Sequence, residues 1–298
     1  MRPRVACLGH RVYFENHFCE LKSRFFEVAW FDYDHFSNVV YDEIRFYRPD
    51  ITLVYRPELH RASDLLAIPG YKIGFSTEPL PKIAIDGTVR ASTETDRRLA
   101  MISHLQKAGF NRIYHYDKGS KSFIERAGLP IDDYAVIPVN TNYFNPQRIL
   151  KPKPKWDILF LGKATERRSK ILSRLKNHNV SFLWIEHGVS GSQLGRLFKR
   201  SGCILNIHAD DIQALAPRVY LAAACGVPVL TDPTGDSDFP FSKLVRTTDM
   251  NELSLNVVKD NVEDVKDSGI LSDREYLDKC LDDISVERFL INAINKII

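Results

Sequence analysis

Short apolar runs alternate with amphipathic stretches through the first half of the chain. Val5–Leu8, Val28–Phe31, Ile51–Tyr55, Lys72–Ser76, Arg112–Tyr116 and Ala135–Pro138 are rich in β-branched and aromatic residues and predict strands. Between them, Asn16–Phe25, Asp42–Tyr47, Thr93–Ala108 and Lys121–Ala127 read as helices, with Gly109 and Gly128 where C-terminal caps belong. That rhythm predicts a parallel sheet covered by helices.

From Asn145 to Trp156 the chain is rich in Pro and Lys and loses its periodicity. Lys151, Lys153 and Lys155 alternate there with Pro152 and Pro154 and read as a solvated linker. A fresh strand, Asp157–Leu161, follows, so two domains are expected, 1–148 and 149–298. In the second, strands Ser181–Ile185, Cys203–Ile207, Val227–Leu230 and Leu244–Arg246 alternate with helices near Glu166–Asn177, Ser192–Lys199 and Pro217–Cys225. A last helix, Val286–Ile298, carries Phe289, Leu290, Ala293 and Ile297 on one stripe; it should pack against the body, with the N-terminal domain one candidate surface.

A length of 298 residues fits two small α/β domains. The apolar stretch after Met1-Arg2-Pro3-Arg4 is too short for a signal peptide, and no later run could span a bilayer, so a cytoplasmic protein is expected, peripheral membrane contact staying open. Cys7, Cys19, Cys203, Cys225 and Cys280 are odd in number and lack metal-ligand spacing, which argues against a disulfide framework or a zinc site. A net charge of +3 gives no footprint for nucleic acid.

Candidate chemistry concentrates in the second half. Asp157–Leu161 runs through Gly162 and Lys163 into a helix whose first turn holds Arg167 and Arg168. Cations there oppose the helix dipole by about 0.3–1 kcal/mol each when exposed, which an anion would offset. A diphosphate site and a solvated basic face, helped by Glu166, are both open. Further on, Asn206-Ile207-His208 ends a strand, and Pro217-Arg218 opens a helix whose Ala222, Ala223 and Ala224 permit close packing on a sheet.

Arg218 to Asp232 resembles the R-x-F-E-A-x-A-C-G-x-P-x-x-T signature of the CgeB-like spore-maturation glycosyltransferases, of the group 1 family with the GT-B fold. Ala135 to Pro146 is similar to that family's interdomain segment and Asp157 to Arg168 to its Gly turn. The resemblance implies two Rossmann-like domains whose parallel sheets face a central cleft. It also implies glycosyl transfer from a nucleotide-sugar donor to a carbohydrate or glycan-bearing acceptor, as in polysaccharide biosynthesis, with no metal required. Gly162, Lys163, Arg167, Arg168, His187, Asn206, His208, Gln213, Arg218, Val219 and Tyr220 are then the expected donor-binding residues. Two positions depart from the family pattern: Leu221 stands where its ribose-binding Glu would be, and Gln213 where another Glu would be. An epimerase or phosphorylase on the same fold, or a non-catalytic nucleotide-binding relative, are the alternatives.

A base for the acceptor hydroxyl is sought at strand ends of the first domain, where His10, Glu58, Glu78, His115 and Asp117 fall. Each could equally be an ordinary polar loop residue. The triplets Asp32-Tyr33-Asp34 and Asp236-Ser237-Asp238 have the form of a metal motif, but its appearing twice shows how readily that pattern arises.

Overall fold

The computed structural model describes residues 2–18, 23–33, 39–84, 86–89, 91, 93–146, 153–176, 179–209, 214–234 and 239–295. The chain forms two compact units, Met1–Pro138 and Val139–Ile298, each built on a parallel sheet of its own.

The first unit holds β1 (Arg4–Gly9), β2 (Glu27–Asp32), β3 (Ile51–Tyr55), β4 (Tyr71–Ser76), β5 (Arg112–His115) and β6 (Asp133–Tyr134) in the order β2-β1-β3-β4-β5-β6. Every neighbouring pair is parallel. All five residues of β3 are buried, as a central strand covered on both faces requires, and this makes it a continuous apolar run in the sequence. Helices α1 (Arg11–Phe14), α2 (Val39–Tyr47), α3 (Ala62–Leu66), α4 (Thr95–Ser103) and α5 (Lys121–Arg126) make the connections.

Two expectations fail here. The described residues of Asn16–Phe25 are not helical; the helix is the earlier α1. Phe14 stacks on Tyr55 with ring centroids 4.5 Å apart, Phe18 meets the same ring edge-on, and His17 Nδ1–H donates to the carbonyl of Pro138. The apolar residues of this segment thus build an aromatic cluster over β3 instead of one helix face. The strand expected at Ala135–Pro138 is also displaced, since pairing with β5 is confined to Asp133–Tyr134 and ends on the Ala135 N–H to His115 carbonyl bond.

The second unit holds β7 (Trp156–Leu161), β8 (Phe182–Ile185), β9 (Ser201–Asn206), β10 (Val229–Thr231) and β11 (Val245–Thr247) in the order β11-β10-β9-β7-β8, again all parallel. Its helices are α6 (Glu166–Lys176), α7 (Gly191–Lys199), α8 (Pro217–Ala224), α9 (Leu255–Asp267), α10 (Arg274–Ile284) and α11 (Val286–Asn295). Counted from its own first strand, this sheet repeats the strand order of the first: in both, the opening strand has the second strand on one side and the third on the other.

The units divide after Pro138, ahead of the expected line at 148, because Val139 is claimed by the second unit. Its N–H donates to Ile284 at the end of α10, and its carbonyl accepts from Val286 at the start of α11. Just beyond, α7 lies so close to Tyr143 that a Cβ on Gly195 would sit 2.6 Å from the Tyr143 carbonyl oxygen. Along α11, Val286, Leu290 and Ala293 are buried.

Candidate active site

In a doubly wound sheet ligands bind beyond the carboxyl ends of the strands, where the chain reverses its direction of build. That point lies between β7 and β9 in the second unit and between β1 and β3 in the first.

Gly162, at the end of β7, has φ 156°, and a Cβ there would press on the Phe160 ring at 3.2 Å and on Arg168 at 3.3 Å. Its N–H donates to Ile185, and Trp184 Nε1–H donates to its carbonyl, so β8 fixes the turn. Arg168 is nearly buried and serves the same turn: Nε–H donates to the carbonyl of Ile207 at 2.9 Å and an Nη1–H to that of Lys163 at 3.0 Å. Arg167 makes a two-pronged pair with Asp232, both bonds 2.8 Å, and also donates to the His208 carbonyl. Both guanidinium groups, expected to grip phosphate, are therefore engaged inside the unit. This answers the dipole cost of two arginines in the first turn of α6. Lys163, exposed and in no ion pair among the described residues, is the cation of this turn that faces solvent.

The end of β9 supplies a buried polar network. Asn206 has no exposed surface; its Nδ2–H donates to Thr231 Oγ1 at 2.7 Å, and its Oδ1 accepts from Arg218 Nη1–H at 2.5 Å. The His208 backbone N–H donates to Asp232 at 2.7 Å, and its ring Nε2 lies 3.0 Å from the Ala214 carbonyl, so the proton sits on Nε2. Burial pushes the His208 pKa down, opposed by the neighbouring Asp232 carboxylate. Arg218, half-buried at the N-terminus of α8, is thereby tethered to the end of β9. Arg168, Asn206, His208 and Arg218 thus meet at one sheet edge with Gly162. The side chains of Val219 and Tyr220 do not join them: both are wholly buried, with Leu221, in the core under α8. His187 is exposed beyond β8, and Gln213 lies outside the described residues.

In the first unit, Arg56 follows β3 with a left-handed φ of 54°, uncommon outside glycine. This directs its guanidinium to two carboxylates: Nε is 3.5 Å from Glu58, and Nη2 pairs with Glu78 at the end of β4. Arg98 flanks Glu78 at 3.3 Å and donates to the Pro79 carbonyl. Burial, partly offset by hydrogen bonding and Arg56, raises the Glu58 pKa to about 7. His10 lies edge-on to Tyr33, whose hydroxyl senses both Arg56 and Glu58. Glu58, Glu78 and His10 are thus assembled at one strand edge. His115 ends the neighbouring β5 at the same edge but is enclosed: it has no exposed surface, its Nδ1 accepts the Asp117 N–H, and burial drives its pKa down to about 3. Asp117 pairs with Lys82 at 3.2 Å. The sequence reading missed Arg56, Arg98, Tyr33 and Asp232. Of these, Arg56 and Asp232 sit directly after strands, a position that could have marked them.

Asp34 and the triplet 236–238 lie outside the described residues, and among the described residues no group of His, Cys, Asp and Glu is placed to hold a metal ion. Among them too, no helix is long and apolar enough to cross a membrane.

A pH profile follows from the buried groups. Burial holds His17 and His60 neutral with pKa about 4, and His115 likewise at about 3, against an ordinary 6.5. The unfolded chain binds more protons at these sites, so their contribution to stability is present above 6.5 and lost as pH falls. Glu58 acts oppositely between 4.5 and about 7, where the folded chain keeps a proton the unfolded chain has released. Four depressed histidines, His208 among them, outweigh Glu58 and the burial-raised Asp117, so the melting temperature rises from pH 4.5 to 6.5, and Glu58→Gln is expected to steepen that rise. A flat profile in thermal unfolding refutes the assignment.

These features define a class by fold: two parallel-sheet α/β units of the GT-B kind. Residues 150–261 match the family described as glycosyl transferase-like. Among solved structures, the sucrose-phosphate synthase of Thermosynechococcus elongatus is 9% identical with a TM-score of 0.53, covering 99% of this chain and 98% of its own. A trehalose-6-phosphate synthase studied with bisubstrate glycomimetics is 11% identical with a TM-score of 0.52, covering 98% of each chain. The UDP-forming trehalose-phosphate synthase of Burkholderia vietnamiensis is 9% identical with a TM-score of 0.50, covering 99% of this chain and 100% of its own. At such identities the likeness is one of fold. No curated protein matches the chain.

Proposed function

We propose that this protein transfers a glycosyl group from a nucleotide diphosphate sugar to a hydroxyl-bearing acceptor, with the donor phosphates received at the β7–β9 edge. The observation that carries this reading is the convergence there of the Gly162 turn, exposed Lys163, and Arg218 at the head of α8, tethered to Asn206 at 2.5 Å. When the bond from the anomeric carbon to the diphosphate oxygen breaks, negative charge grows on the leaving phosphates. Fixed cations and helix N–H groups oppose that charge without reorganising. Arg218 and Lys163 act directly; Arg167 and Arg168 hold the turn and the β9 end in place.

We assign the acceptor to the strand edge of the first unit, where Glu78, the less buried carboxylate, accepts its hydroxyl proton and Glu58, with no exposed side-chain surface, lies behind Arg56. The finer kinship with CgeB-like enzymes belongs to the same proposal, carried by Arg218 to Asp232 and the Gly162 turn. A second reading, a nucleotide-binding relative without turnover, is favoured by the burial of Leu221 and by the internal pairing of Arg167 and Arg168.

A panel of nucleotide sugars, incubated with and without a carbohydrate acceptor pool in EDTA, separates the readings. Release of nucleoside diphosphate that depends on acceptor is expected and unaffected by the chelator. Tight nucleotide binding with no turnover on any acceptor establishes the second reading instead. Epimerised sugar nucleotide formed without acceptor refutes transfer.

A further inference from the structure

At the opposite edge of the second sheet, where its strands begin, lies a cavity of about 270 Å³. Ser201 and Gly202 open β9 on one side of it, and Val227 and Pro228 lead into β10 on the other. Two of the lining residues, Gly202 and Gly226, carry no side chain. Gly202 must be bare, since a Cβ there would lie 2.9 Å from the Asp157 carbonyl oxygen, and Gly226 closes α8 with a left-handed φ of 71°. Pro154, Val262, Leu271 and the buried thiol of Cys225 complete apolar walls.

Three lysines stand among these walls, Lys153, Lys199 and Lys266, and among the described residues no acidic one does. Most cations of this protein with defined partners face carboxylates, as Arg246 faces Asp264 on the same unit. These three make no ion pair among the described residues; Lys199 donates to the side-chain oxygen of Asn145 at 3.2 Å. Lys199 and Lys266 close the last turns of α7 and α9, but a helix C-terminus carries only about half a negative charge. Positive charge beside an apolar hollow is left without an answering anion.

We propose that this cavity binds a compact amphipathic phosphate: a small apolar body seated against Val227, Pro228, Val262 and Leu271, with a phosphomonoester facing the lysines. The volume, just under the range of about 300–1,000 Å³ common for small-molecule sites, limits the body to one ring or a short branched chain. Three lysines match a phosphomonoester, at about −1.5 to −2 near neutrality, better than a carboxylate. Lysine serves such a group as a point charge. The site stands on the sheet edge remote from Gly162 and Arg218, so it is a second site and not part of donor recognition.

Calorimetry on the full chain tests this with phenyl phosphate, inorganic phosphate and benzoate. Phenyl phosphate is expected to bind most tightly. The exposed pair Lys153→Ala and Lys266→Ala together should weaken it by roughly tenfold or more with the melting temperature unchanged. Arg218→Ala should leave that binding intact. The inference is overturned if phenyl phosphate does not bind, if inorganic phosphate or benzoate binds equally well, or if Arg218→Ala rather than the lysine pair removes binding. Sugar-nucleotide turnover by the lysine variant should match the parent, so failure here is distinct from failure of the transferase reading.

Discussion

Arg218→Ala is expected to lower kcat for acceptor-dependent donor turnover by about 10²–10³, the loss that removal of one preorganised charge-stabilising donor produces. The size follows from position. Arg218 is half-buried, its guanidinium is oriented by Asn206, and the N-terminus of α8 lies behind it. A cation held in this way acts on charge that appears only as the leaving group departs, so kcat should fall more than KM rises. Arg218→Lys should recover little, because an ammonium cannot both hold the Asn206 oxygen and present a fork to a diphosphate. The deletion also leaves the Asn206 Oδ1 short of a donor, at a cost of about 1–3 kcal/mol of stability. Turnover must therefore be measured well below the melting temperature. Rates within twofold of the parent under those conditions would remove the β7–β9 edge from the mechanism.

The strands of this protein were readable because both sheets are parallel and covered. Ile51–Tyr55 has the same limits in sequence and structure, and the other central strands differ by a residue or two. Helices were harder wherever apolar spacing served another purpose. Phe14 and Phe18 cluster on Tyr55, and no local pattern announces such a contact. Helices α9 and α10 were passed over although their caps are written in the chain: Ser254 accepts the Val257 N–H and Asp273 the Tyr276 N–H. Of the site, what could be read were the charges and their place after a strand. What could not be read was whom each charge faces. Arg167 and Arg168 look alike in sequence, yet one meets the Asp232 carboxylate across 65 positions and the other two carbonyl groups. Arg56 is a similar case: a left-handed backbone in a non-glycine residue comes from the surrounding fold, so its link to Glu58 and Glu78 is visible only once the sheet is assembled.

Asp232→Ala should destabilise the protein by about 3 kcal/mol, the lower end of what breaking a buried ion pair costs, since the Arg167 side chain retains 31% exposure. The carboxylate does three things at once. It accepts both prongs of Arg167 and the backbone N–H of His208, and it is almost wholly buried beyond β10. Its loss strips Arg167 of its carboxylate, leaving the bond to the His208 carbonyl, and takes the acceptor from the His208 N–H, and either loss is costly in the interior. Asp232→Asn keeps the shape and one acceptor, so it should cost less while still losing one prong. Replacing Arg167 and Asp232 together by Met and Leu removes the stranded charge and should restore part of the stability, because a paired desolvated charge gains little over packed apolar groups. Urea unfolding of the single and double variants reads this directly. If the double variant is less stable than the sum of the single changes, the pair is not the unit that holds α6 to the ends of β9 and β10.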